Sequence, residues 1–180
     1  MKVLLFNGSS NEYGCTYTAL KEVADSLENN GVETEIIQVG KNAIRDCIGC
    51  GACQKLDGKC VFKDDIVNEV IEKAKEADGF VFGSPVYYAH PSGRLLSFMD
   101  RLFYAGGKAF TFKPAAAVVS ARRAGTTASL DAIIKHFTIN QMPVVSSNYW
   151  CMAHGAQNSA EQAKQDLEGM QIMRVLGNNM

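Results

Sequence analysis

The sequence runs to 180 residues, with a formal net charge of -1 and 47% hydrophobic residues. That is enough for one domain whose core needs no covalent staples. The near-neutral charge gives no reason to expect nucleic acid or an anionic membrane as partner, and no stretch reaches the ~18 apolar residues of a membrane span. Met1-Lys2 leads into only four apolar residues, too few for a signal-peptide core, so a cytoplasmic setting is expected. There the six cysteines are thiols or metal ligands rather than disulfides.

Val3-Leu4-Leu5-Phe6 reads as a buried strand, and Ala19, Leu20, Val23, Ala24 and Leu27 follow at helical spacing. Thr34 to Val39 reads as a second strand. Residues 41–63 are irregular and hold four cysteines. Asp64-Asp65 then caps a helix with Ile66, Val67, Val70, Ile71 and Ala74 on one face. Gly79 to Gly83 is a third strand, and a loop from Ser84 to Pro91 leads to a helix carrying Leu95, Leu96, Met99, Leu102 and Phe103. Within that helix Asp100 and Arg101 read as a structural ion pair. Ala115 to Ser120 is a fourth strand, followed by a loop and a helix with Leu130, Ile133, Ile134 and Phe137. Met142 to Val145 is a fifth strand, and residues 158–177 form a last helix. Strands alternating with helices over one domain, residues 1–180, predict an α/β fold: a five-stranded parallel sheet with helices on both faces. With right-handed crossovers the expected topology is flavodoxin-like, strand order 2-1-3-4-5, with its ligand beyond strands 1 and 3.

The loop after the first strand reads Asn7-Gly8-Ser9-Ser10-Asn11-Glu12-Tyr13-Gly14-Cys15-Thr16. Strand, loop and helix in that order place a helix N-terminus, with unpaired N–H groups and partial positive charge, where a phosphate can bind. Ser9, Ser10 and Thr16 offer hydroxyls, and Gly8 and Gly14 let backbone come close. The loop lacks the Lys of a P-loop and the G-x-G-x-x-G spacing of a dinucleotide site. A hydroxyl cradle without a cation suits the monophosphate of FMN better than a nucleoside triphosphate; the alternative is an ordinary capped turn. Cys15 sits where a helix terminus would lower a thiol pKa, and reads as a small residue meeting phosphate through its backbone.

Cys47-Ile48-Gly49-Cys50-Gly51-Ala52-Cys53, followed by Cys60, has the spacing C-x2-C-x2-C-x6-C. The first three match a bacterial ferredoxin run, with Gly49, Gly51 and Ala52 keeping side chains clear of the sulfides. Three readings stand: a 4Fe-4S cluster on Cys47, Cys50, Cys53 and Cys60; a zinc ion, whose sites more often split into separated pairs; or a loop that binds no metal.

Three stretches resemble the flavodoxin-like NAD(P)H-dependent FMN reductases, over nearly the whole chain: Gly8-Ser9-Ser10 through Thr16, Gly83-Ser84-Pro85-Val86-Tyr87-Tyr88 with Met99-Asp100-Arg101, and Ser120-Ala121-Arg122-Arg123-Ala124-Gly125-Thr126 with Tyr149-Trp150 and His154-Gly155. The resemblance implies FMN, with Ser9, Ser10, Asn11, Cys15, Thr16 and Tyr17 at its phosphate. Pro85, Val86, Tyr87 and Tyr88, with Ser120, Ala121, Arg122, Arg123 and Gly125, would then be at its ring. Tyr87 or Tyr88 can pack on the ring, and Arg122 or Arg123 can place charge near N1. The family often has Arg where this chain has Asn11, so somewhat weaker FMN binding is expected. His90, His136 and His154 are scattered and read as structural. A catalytic side-chain set is not required, because the cofactor supplies the reactive atom. The cysteine run is similar to that of the family's iron–sulfur flavoproteins, in which a 4Fe-4S cluster passes electrons to FMN and neighbouring subunits bring the centres together; a homodimer or homotetramer is implied. The expected function is an FMN-dependent oxidoreductase carrying electrons from NAD(P)H or a reduced protein to a small-molecule acceptor. Its rivals are an iron–sulfur electron carrier exchanging electrons with ferredoxin, and a redox-sensing module.

Overall fold

The computed structural model describes residues 1–156 and 159–180. Its strands are β1 (Lys2–Asn7), β2 (Glu33–Gln38), β3 (Gly79–Tyr87), β4 (His90–Pro91), β5 (Ala115–Ala121) and β6 (Met152–His154). Its helices are α1 (Cys15–Asn29), α2 (Val67–Glu76), α3 (Gly93–Gly106), α4 (Thr126–Ile139), α5 (Ala160–Gln165) and α6 (Leu167–Asn179). The sheet runs β2-β1-β3-β5-β6, all parallel, and β4 pairs antiparallel with the end of β3. This is the expected flavodoxin-like order with one short strand added.

The central strands are mostly apolar because both faces are covered, and the side chains divide by parity. Leu4, Phe6, Phe80, Phe82, Ala115, Ala117 and Val119 join the core under α2, α3 and α4. Val3, Leu5, Val81, Ala116 and Val118 join the core under α1 and α6. Register explains how the aromatic layer fits. Phe80 pairs with Ala115 and Phe82 with Ala117, so each ring lies beside a methyl group. The space holds a stack of rings, Phe6 to Phe82 at 4.6 Å and Phe80 to Phe110 at 4.5 Å. Each fully buried ring contributes about 2–3 kcal/mol. No helix among the described residues is long and apolar enough to cross a membrane.

Three elements differ in detail from the sequence reading. The expected fifth strand at Met142–Val145 makes only one bridge, Ala115 to Val144. Pro143 has no N–H to extend the ladder. The chain leaves the edge there and returns at β6, where the fifth position is filled. The last helix is broken at Asp166, whose carboxylate accepts from the Gly169 N–H (3.0 Å) and the His154 N–H (2.6 Å), capping α6 while tying down β6. The expected start of that helix at Asn158 lies outside the described residues. Arg101 does not pair with Asp100. It pairs with Asp65, whose carboxylate also accepts the Val67 N–H (3.1 Å) at the start of α2, while Asp100 meets His136 Nε2 at 3.2 Å.

α1 packs under one face and α2 under the other, so the chain reverses direction across the sheet between β1 and β3. At such a switch point the loops after neighbouring strands splay apart and leave a crevice.

Candidate flavin site and cysteine cavity

The loop after β1 is built to be rigid. Asn7, the buried last residue of β1, donates from Nδ2 to Gln38 Oε1 (2.6 Å) and to the Glu12 carbonyl (3.2 Å), and its Oδ1 accepts the Ser9 N–H (3.2 Å). Gln38, at the end of β2, donates to the Ser9 carbonyl (2.7 Å). Val39 and Gly40 N–H both return to the Asn7 carbonyl, at 2.9 and 3.1 Å. Gly40 lies so close that a Cβ there would stand 2.0 Å from the Ser9 oxygen. The Gly8 N–H donates to the Gly83 carbonyl (2.8 Å), which joins this loop to β3.

The other two loops meet it. The Tyr87 hydroxyl pairs with Ser10 Oγ (2.6 Å) and accepts the Ser10 N–H (3.1 Å). Burial pushes the Tyr87 phenol up, but the Ser10 bonds outweigh it and hold its pKa below the ordinary range. Thr16 Oγ1 and Ser120 Oγ, both buried, stand 2.8 Å apart across the sheet from α1 to β5. Gly125, at φ +89°, begins α4 where a Cβ would lie 2.8 Å from Val86. Pro85 is buried in β3 opposite Ser120, and Ala121 accepts the Gly155 N–H at 3.0 Å. The structure therefore gathers Ser9, Ser10, Thr16, Pro85, Val86, Tyr87, Ser120, Ala121 and Gly125 at the switch point. Asn11 is exposed, and its backbone N–H donates to Ser9 Oγ (3.1 Å). Tyr17 packs edge-on against exposed Tyr13, centroids 5.1 Å apart.

Tyr88 is fully exposed and sits at φ +61°, with the Ala89 N–H returning to the Tyr87 carbonyl at 2.8 Å. Bulky residues avoid that conformation, and it costs about 1–3 kcal/mol where it persists. Arg122 and Arg123 are exposed and form no ion pair among the described residues. Arg94, which the sequence reading missed, donates to the Gly40 carbonyl and helps lower the Tyr87 phenol. It is a cation beside the loop that Asn11 leaves without one.

Cys15 departs from expectation. It is buried, its Sγ donates to the Ser159 carbonyl (3.3 Å), and burial raises its pKa instead of the helix terminus lowering it. Cys151 is pushed up to about 11 by burial. A raised pKa means less thiolate at a given pH, and the thiolate is the nucleophile. At pH 8 about one Cys151 in a thousand is ionised, taking pKa 11. Iodoacetamide at pH 8 should label exposed Cys50 in the metal-free protein and spare Cys15 and Cys151; peptide mass spectrometry of the folded protein reads the outcome.

Cys47, Cys50, Cys53 and Cys60 all line one cavity, with Arg101 and Tyr104 on its helix side. The chain turns there through Gly49 and Gly51, at φ +62° and +66°, conformations that glycine takes at no steric cost. Cys53 Sγ faces the Tyr104 carbonyl at 3.6 Å. Cys60 is held by its backbone: its N–H donates to Asn68 Oδ1 (2.7 Å) and its carbonyl accepts from Asn68 Nδ2 (3.0 Å). Asn68, Asp65 and Arg101 were not legible as parts of this site. All six cysteines are free thiols. Among the described residues no three Cys, His, Asp or Glu side chains stand close enough to share one metal ion.

A family model described as NADPH-dependent FMN reductase matches residues 1–157. The chain belongs to that family. It is accordingly an oxidoreductase of an FMN-using group. An iron–sulfur flavoprotein of Methanocaldococcus jannaschii is 33% identical over 98% of this chain and 94% of its own length. Among solved structures, RosB with a bound 8-demethyl-8-formylriboflavin-5'-phosphate intermediate aligns at TM-score 0.78 and 17% identity, covering 99% of this chain and 77% of that one. A flavodoxin from the domain Archaea aligns at TM-score 0.59 and 16% identity, covering 98% of this chain and 99% of that one. These two likenesses show the fold.

Proposed function

We propose that this chain is an FMN-dependent oxidoreductase that takes electrons from NAD(P)H, or from a reduced protein, and delivers them to a small-molecule acceptor. The observation that carries the reading is the meeting of three loops at the switch point, through the Ser10–Tyr87 and Thr16–Ser120 bonds. The residues fit the cofactor. Ser9, Ser10, Asn11 and Thr16 would hold the phosphate at the start of α1, with Tyr17 behind them and Arg94 nearby. Pro85, Val86 and Tyr87 would face the ring from β3, and Ser120, Ala121 and Gly125 from β5 and its loop. Tyr88, Arg122 and Arg123 project into solvent around the same crevice and would close over its open side. Bound FMN supplies hydride acceptance and stepwise electron release.

The protein should bind about one FMN per chain in preference to FAD, and NAD(P)H should bleach it. Thr16→Ala removes a hydroxyl worth roughly 1.5–3 kcal/mol to a charged group. FMN affinity should fall by about ten to a hundredfold, with riboflavin affinity almost unchanged. An equal loss for both ligands would place Thr16 away from the phosphate and overturn the assignment.

A second reading adds an iron–sulfur centre, and the cavity favours it. The donors are thiols alone, which select zinc or iron–sulfur clusters. Zinc sites more often split into two well-separated pairs of cysteines, whereas three of these cysteines follow one another at two-residue intervals. The compact run of thiols on one cavity suits a cluster, and relatives such as the Methanocaldococcus jannaschii protein are iron–sulfur flavoproteins. Cys47, Cys50, Cys53 and Cys60 would be its ligands, in a carrier that exchanges electrons with ferredoxin.

A further inference from the structure

Arg101 is only 1% exposed, among the largest side chains fully buried in the protein, and nothing in flavin binding accounts for it. Every nitrogen of its guanidinium has a partner. Nη1 and Nη2 meet the two oxygens of Asp65, Nη2 at 3.2 Å, and Nη1 also reaches the Arg45 carbonyl at 3.3 Å. Its flat face lies over Phe62, 5.1 Å from the ring centroid, with Arg45 on the same ring at 5.2 Å. The third nitrogen, Nε, donates toward Cys60 Sγ, 3.3 Å away.

A buried ion pair of this kind contributes little net stability, since desolvation offsets the attraction. The arrangement does have a direction. The carboxylate sits on the terminal nitrogens, and the Nε–H faces the sulfur and the cavity that the four cysteines line. Cys60 is thus fixed from two sides, by Asn68 at its backbone and by Arg101 at its sulfur. The other three cysteines sit in the glycine-containing turn of the same cavity. Cys60 is therefore the thiol of the four that side chains hold both at its backbone and at its sulfur.

We propose that Arg101 is a positioning residue for the centre held by these cysteines: its Nε–H fixes the Cys60 sulfur toward the cavity, and its charge stabilises the reduced state of whatever cluster the thiolates bind. The inference rests on the iron–sulfur reading above. Hydrogen bonds and positive charge at ligating sulfurs raise the reduction potential of such centres.

The test uses the full chain, loaded with FMN and reconstituted with ferrous iron and sulfide without oxygen. Arg101→Lys keeps a cation on Asp65 while withdrawing the Nε–H. The double variant Arg101→Met with Asp65→Asn removes both buried charges together, so that neither is left unpaired if the single variant folds poorly. Iron per chain, loss of the cluster to a chelator and the reduction potential against redox dyes are compared. Both variants should bind FMN as the parent does, lose iron about tenfold faster and show a lower potential. A folded variant that takes up no iron supports the same role. Variants with the parent's potential and chelator resistance would reduce Arg101 to a part of the fold and leave the cluster reading standing. A parent that takes up no iron would overturn the cluster reading and this inference with it.

Discussion

Replacing Gly40 by alanine is expected to weaken FMN binding by at least about a hundredfold while the protein stays folded. The added Cβ would lie 2.0 Å from the Ser9 oxygen, 2.2 Å from the Ser9 carbonyl carbon and 2.7 Å from the Gly8 oxygen. All three are backbone atoms, so no rotamer change relieves the contact. Either the turn after β2 or the loop after β1 must move by about 1.5 Å to restore ordinary van der Waals separation. The turn has little freedom, because Val39 and Gly40 N–H are both tied to the Asn7 carbonyl. The loop is the part that gives, and its hydroxyls and N–H groups are the ones proposed to hold the phosphate. Losing two hydrogen bonds to a charged group, at roughly 1.5–3 kcal/mol each, gives the expected factor. The fold should survive, because Gly40 lies beyond the end of β2 and outside both core clusters. Isothermal titration with FMN and with riboflavin, beside a thermal melt, checks the result. Parent-like FMN affinity would mean that the loop after β1 does not hold the phosphate.

The fold was legible because the central strands are mostly apolar and the helices carry 3.6-residue patterns, signals that both come from burial on two faces of a sheet. The edge was less legible. Met142 to Val145 has the composition of a strand, yet Pro143 limits it to one bridge and β6 takes the place with three residues of weak pattern, Met152, Ala153 and His154. The break at Asp166 was visible only as an Asp three residues before Gly169, a common enough pair to pass unnoticed inside a helical stretch.

The site divides in the same way. Residues that a ligand would touch lie next to one another in sequence and were readable as loops. Residues that hold those loops in place come from elsewhere in the chain. Gln38 reaches Ser9 from a separation of 29 positions, Arg94 reaches Gly40 across 54, and Arg101 reaches Cys60 across 41. Sequence spacing carries no signal for such contacts. It also misled at Cys15, where proximity to a helix N-terminus argued for an activated thiol. The chain that follows β6 covers that thiol, and burial decides its state.

Cys50→Ala is expected to remove all of the iron and none of the flavin. Cys50 is exposed, between two glycines that already take the strained backbone angles, so the substitution removes a sulfur and little else. Surface changes of this kind usually alter stability by no more than about 0.5 kcal/mol. The flavin loops lie on different elements, so FMN should bind one per chain as in the parent. A cluster on Cys47, Cys50, Cys53 and Cys60 needs four thiolates, and three leave an iron exposed to exchange. The parent, reconstituted without oxygen, should show broad brown absorption beyond the flavin bands with iron and sulfide at about 4:4 per chain; the variant should show the flavin bands alone. Exchange with reduced ferredoxin should collapse in the variant, while reduction of FMN by NAD(P)H should persist, because it needs only the open side of the crevice. One zinc per chain and no sulfide in the parent would replace the cluster with a single ion. A parent that takes up neither metal would leave a plain flavin reductase whose cysteine cavity serves another purpose. Oxygen is excluded throughout because an air-exposed cluster is stripped from a cavity open to solvent. Failed anaerobic reconstitution, not an iron-free sample handled in air, is the result that would remove the carrier.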